Sequence, residues 1–232
     1  GVNSTQGTVR ASTDGGALGG AAGTVAIGAN GTLDFAGGYD GNKNATTVAN
    51  GGNITNSAGA NTYTSGIAIT TNADITTAAG TTLTLDGVIS GAGASIDKDG
   101  TGTLVLAGAN TYTGNTNITQ GTVSVTNNTG LGQAGIGTVA ISSPATLEFA
   151  ETLAIQAKAN TTIADGGTIS TTAGKTVSYA TNIAAAGVAN INVAEELTLS
   201  GVISGAGAIT KAGNGRLILT SANTNTGNTI VN

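Results

Sequence analysis

Apolar residues along this chain fall in pairs separated by one small or polar residue. The pairs are Val25/Ile27, Leu33/Phe35, Ile67/Ile69, Leu83/Leu85, Leu104/Leu106, Val123/Val125, Val139/Ile141, Leu147/Phe149, Leu153/Ile155, Ile191/Val193, Leu197/Leu199 and Leu217/Leu219. Alternation over three or four residues predicts a short strand with one face buried. Runs of Gly, Asn, Ala and Thr separate the pairs, and these are turn formers. The pairs return about every 20 residues, as one coil of a β-solenoid would make them do. The spacing therefore predicts an all-β chain of about 11 to 12 coils, which is on the order of 55 Å of rod at the inter-strand spacing. Ala150–Ala159 is the one stretch with helix-forming composition, although Leu153 and Ile155 alternate within it.

A longer repeat overlies this rhythm. Leu83–Val125 reads LTLDGVISGAGASIDKDGTGTLVLAGANTYTGNTNITQGTVSV, and most of it returns at 197–232 as LTLSGVISGAGAITKAGNGRLILTSANTNTGNTIVN. The match extends upstream. Gly23-Thr-Val-Ala-Ile27 returns as Gly137-Thr-Val-Ala-Ile141, and Thr32-Leu-Asp-Phe35 as Thr146-Leu-Glu-Phe149. The expected organisation is one continuous solenoid over 1–232, made of two tandem units at about 3–116 and 117–232. The phase of the repeat at both ends suggests a piece cut from a longer array with open sheet edges, which invite end-to-end pairing.

Composition supports a thin core. With 39 glycines, two phenylalanines, and no Trp, Met, Cys or His in 232 residues, a conventional wide core is hard to fill. Charged residues make up only 8% of the chain, and regular β-branched alternation argues against disorder. A net charge of −5 argues against nucleic acid, which selects basic surfaces. No apolar run is long enough to cross a membrane as a helix. The lack of Cys excludes disulfides, and the lack of His excludes His-dependent nucleophilic catalysis.

Residues 96–123 carry a recognisable pattern: Ile96-x-Lys98-x-Gly100-x-Gly102-Thr-Leu104-x-Leu106-x-Gly108-Ala-Asn110-Thr-Tyr112-Thr-Gly114-x-Thr116-x-Ile118-x-x-Gly121-Thr-Val123. It resembles the passenger-associated, or autotransporter-associated, β-strand repeat. The second copy keeps Lys211, Gly213, Gly215, Leu217, Leu219, Asn223, Gly227 and Thr229, and departs with Arg216 and with Asn225 in place of Tyr. The resemblance implies a right-handed parallel β-helix forming the exported passenger of a bacterial outer-membrane autotransporter, similar to large surface antigens and adhesins. It also implies display at the cell surface, tethered through a C-terminal membrane β-barrel outside this sequence. A role for the repeat in export is implied as well.

The polar residues give no catalytic constellation. Asp97-Lys98-Asp99-Gly100 is the best local cluster, with two carboxylates offering hard oxygens to Ca²⁺. The second copy has Thr210-Lys211-Ala212-Gly213 there, so a solvated turn is expected and no metal. Asp34 and Glu148 match between copies inside Leu-x-Phe, so they are expected to point outward as solubilising charges. Lys98 and Lys211 are placed at turns before a strand, and Glu195-Glu196 at a surface turn. Gly91-Ala-Gly93 and Gly205-Ala-Gly207 lack the Lys and helix of a phosphate loop and are read as tight corners needing positive φ. Asn61, Asn110 and Asn223 share a motif position and are expected to stack and exchange amide hydrogen bonds. Tyr63 and Tyr112 are expected to cover corners.

The reading is a non-catalytic passenger or stalk segment, with no catalytic, cofactor or metal residues. Host-cell or other cell-surface molecules are the expected partners. A self-assembling surface-layer or filament subunit and a polysaccharide-active β-helix enzyme are the two rivals.

Overall fold

The structure, a computed structural model, describes residues 1–12, 17–19, 22–41, 45–156 and 158–232. Among them there is no helix, and every strand pairing is parallel. The chain winds as a parallel β-helix of about ten turns, with three faces and one strand or extended segment per face in each turn. This is slightly shorter than the spacing suggests, because the turns are not all alike. Leu104 stacks on Val123, 19 residues on, but Val123 stacks on Leu147, 24 residues on. The extra residues of the longer turn lie in the loop after Val125.

The first face carries Ala45–Val48, Ile67–Ile69 and Ile89–Ser90, then the four-stranded sheet from Leu153–Ile155 to Arg216–Leu219. The second carries Gly52–Ala58, Asn72–Thr77, Ser95–Asp99, Thr116–Ile118 and onward to Ile203–Ser204. The third is a ten-stranded sheet that includes Thr103–Leu106 and ends at Thr229–Val231. Near the N-terminus the long strand Thr24–Ala36 bends around a corner. Its first part pairs with Ala45–Val48 and its second with Gly52–Ala58, which joins two faces into one sheet.

The apolar pairs point into the axis as their alternation requires. Eleven of the twelve pairs named above are buried at both positions, and only Leu217/Leu219, in the last turn, is not. Leu153–Ile155 is a strand rather than a helical turn, and Ala157 lies outside the described residues. The core is not purely aliphatic. All four tyrosines and both phenylalanines are buried. Phe35 contacts Tyr39 and Tyr63 at centroid distances of 5.1 and 5.4 Å, and Phe149 contacts Tyr179 at 5.0 Å.

The two sequence copies do not lie on the same side of the rod. Ile96 stacks in succession under Thr116, Val139, Thr161, Ile183 and Ile203, five turns along the second face. Its sequence counterpart, Ile209, comes one strand later, on the third face. The same step takes Leu104 on the third face to Leu217 on the first, and Leu33/Phe35 on the second to Leu147/Phe149 on the third. The sequence unit thus equals five turns plus one face. The three faces accept the same motif because each needs only a short alternating strand ending in a tight corner.

Candidate functional site

The lysines depart most from expectation. Lys98 follows Ile96 in the inward phase of Ser95–Asp99 and is fully buried. Its Nζ donates to the carbonyls of Asp99 (2.8 Å) and Gly100 (2.6 Å) at its own corner and of Gln120 (3.2 Å) one turn on. An ammonium has three donors, so all are used, and the side chain ties two turns together. Lys211 is also buried, donating to Gly213 O at 2.5 Å. Both lysines are therefore interior groups rather than turn charges. The alternation Ile96/Lys98 and Ile209/Lys211 carried this signal, but a charged residue at an inward phase reads as a break in the strand.

Lys158 gave no sequence signal at all. It is buried, with Nζ 3.1 Å from Gly114 O and 5.0 Å from the centroid of the Tyr112 ring. Burial pushes Lys98 down to about 8, partly offset by the Asp99 carboxylate, and burial pushes Lys158 down to about 8.

The aspartates around Lys98 form a ladder on the outer side of the second face. Asp97 sits directly over Asp74 of the preceding turn. Asn72 Nδ2 donates to both carboxylates, at 3.0 Å to Asp74 and 2.8 Å to Asp97, and Asn117 Nδ2 donates to Asp97 at 2.6 Å. The Thr119 hydroxyl donates to Asp99. Burial, then the Asp97 and Asp99 charges, push the Asp74 carboxyl up, and the Asn72 hydrogen bond opposes this. Among the described residues no group of three or more His, Cys, Asp or Glu side chains is placed to hold a metal ion.

Asp34 leaves the sheet on its outer side but is only 3% exposed, against the expected solvated charge. Arg10 Nε covers it from one turn at 2.8 Å, and Thr55 Oγ1 (2.9 Å), Ser57 Oγ (2.9 Å) and Ser57 N (3.2 Å) from the other. These residues line a shallow groove of about 350 Å³. Glu148, its counterpart, is half-buried. Glu196 begins a strand and pairs with Arg216 in the next turn, so the departure of Arg216 from the repeat pattern has a partner in register.

The motif asparagines do not form a ladder, because the one-face rotation puts them on different faces. Each instead holds backbone. Asn110 Oδ1 accepts from Ile89 N at 2.8 Å while its Nδ2 donates to Gly130 O at 2.7 Å. Asn223 Oδ1 accepts from Ile203 N at 2.8 Å, and Asn61 Oδ1 accepts from Tyr39 N at 2.6 Å. Tyr63 and Tyr112 are interior, not corner covers, and their hydroxyls pair with the buried Thr46 and Thr116. The glycine corners are as expected at Gly91 (φ 148°), Gly93 (72°) and Gly205 (103°). Gly207 has no positive φ, but a Cβ there would meet Gly187 O at 1.9 Å, so close stacking selects glycine.

The buried ammoniums and the ladder complete strands and corners. A family model for the passenger-associated-transport-repeat matches residues 96–125 and 209–232. These are the two stretches that contain Lys98 and Lys211. With the solenoid, the matches fit an autotransporter passenger with β-repeats. The repeat is generally structural rather than catalytic and implies exposure outside the cell. No curated protein and no solved structure matches the chain.

Proposed function

We propose that this chain is a non-catalytic stalk or display segment of an autotransporter-type adhesin or surface antigen, tethered at the outer membrane and presented to cell-surface molecules. The observation that supports this best is the coincidence of the two repeat matches with turn-to-turn fasteners. Lys98 and Asn110 in the first matched segment, and Asn223 in the second, each bond a neighbouring turn. In each of these bonds the acceptor lies in the later turn, so every turn completes bonds with its neighbour. Folding in a solenoid propagates between nearest neighbours, and stepwise folding outside the cell would favour net outward movement of the polypeptide.

The test places Leu104→Pro in the full-length protein and measures its surface level. Proline removes a ladder donor from a central strand, so secretion is expected to stall near this turn. Unchanged surface display would count against the proposal, as would turnover of a polysaccharide by the purified protein.

A further inference from the structure

The sequence has three Asn-Gly steps, Asn30-Gly31, Asn50-Gly51 and Asn214-Gly215, and the structure treats them differently. Such a step can cyclise when the glycine amide nitrogen is free to reach the asparagine side chain. Asn30 and Gly31 lie inside the strand Thr24–Ala36, and Gly31 is packed so closely that a Cβ would stand 2.0 Å from Ser4 O. At Asn214, the Gly215 N–H donates to Val193 O at 2.9 Å. Asn50 is different. It is exposed at the second position of the turn Ala49–Gly52, closed by Gly52 N to Ala49 O at 2.9 Å, with Gly51 at φ 76°. This is a type II turn. The Gly51 N–H donates to no group among the described residues.

The second copy shows what this corner looks like with a carboxylate. Ala164-Asp165-Gly166-Gly167 forms the same turn, with Gly167 N to Ala164 O at 2.9 Å and Gly166 at φ 83°. Asp165 stands where Asn50 stands, and its Oδ1 accepts from Val188 N at 2.7 Å. Here the Gly166 N–H is engaged, donating to Val188 O at 2.8 Å.

We infer that Asn50-Gly51 is a site of spontaneous covalent modification in the folded protein. The Gly51 nitrogen attacks Cγ, the amide carbon of the Asn50 side chain. A new C–N bond forms, the Cγ–Nδ2 bond breaks, and ammonia leaves with the proton from the Gly51 nitrogen. Water then opens the succinimide at either carbonyl, leaving an aspartyl residue or its isoaspartyl isomer in place of Asn50. The aspartyl product converts Ala-Asn-Gly-Gly into the Ala-Asp-Gly-Gly of the second copy, so the fold accepts it. The isoaspartyl product adds a methylene to the backbone at a corner where successive turns stack, and locally loosens the rod. This inference does not depend on the proposed function.

The test incubates the intact protein at neutral to mildly alkaline pH and maps peptides by mass, with ammonia release measured in parallel. A denatured sample serves as the reference in which all three steps react alike. In the folded protein the mass gain of one unit is expected at Asn50, about tenfold or more faster than at Asn214 or Asn30, since Asn50 has only to turn about its Cα–C bond within an exposed corner, whereas those two must first leave a strand or a turn-to-turn hydrogen bond. Asn50→Asp is expected to cut the ammonia release to the slow contribution of the other two steps while the protein keeps its far-ultraviolet spectrum. Equal rates at the three sites, or an Asn50 that stays intact while the denatured sample reacts, would overturn the inference.

Discussion

The two copies of the repeat carry similar sequences but hold their turns with different groups. In the first, Lys98 donates to three carbonyls across two turns, and the Tyr112 hydroxyl pairs with Thr116 inside the core. In the second, Lys211 reaches the Gly213 carbonyl, and Asn225 stands where the tyrosine would be. A repeat is therefore a socket as much as a plug. Lys98 takes one of its acceptors from the neighbouring turn, and the Tyr112 hydroxyl has a buried partner, so one motif position differs in effect with the groups placed around it.

Truncating the paired leucines should separate the copies most. Leu104→Ala empties a fully buried position and is expected to cost about 3 kcal/mol, while Leu217→Ala, partly buried in the 232-residue chain, costs roughly 1 there. Urea titration of both variants measures the gap, and equal losses would break the comparison. Lys98→Met comes next. It strands three inward carbonyls and is expected to cost about 2 kcal/mol, read by the same titration. Tyr112→Phe leaves the buried Thr116 hydroxyl without its partner at a cost of about 1 kcal/mol, whereas Asn225→Phe should change stability little.

A pH dependence spans both units. Lys98 and Lys158 release their protons near pH 8 when folded but near 10.5 when unfolded. Between these values the unfolded state binds more protons, so stability rises with pH. The opposing groups are the tyrosines. Burial pushes Tyr39 up to about 12 and raises Tyr63, Tyr112 and Tyr179 as well. The unfolded state therefore loses phenolic protons first above pH 10, and stability falls there. Melting temperature should climb from pH 8 to about 10 and then drop. A Lys98→Met/Lys158→Met double variant should lose the climb and keep the drop.

Much of the architecture was legible because one signal, the alternation of aliphatic residues, sets both the strand and its inward face. Val123/Val125 and Leu197/Leu199 show this plainly. The outward column was less legible. Asp34 reads as a solvated charge by phase, yet side chains from the turns on either side cover it, and that depends on register with residues some 20 positions away. Lys98 was misread for the opposite reason. Its phase was inward, but its charge argued for solvent, and only the corner carbonyls resolve the conflict. The placement of Asn61, Asn110 and Asn223 on separate faces could not be read without counting residues per turn, which vary through loop length.

That count bears on how such a rod meets its surroundings. An array extended with this unit would carry each copy of the motif around the shaft like steps on a spiral stair, returning to its starting side after three copies. A flat surface lying along the shaft would meet only every third copy, while a soluble ligand in bulk could reach them all.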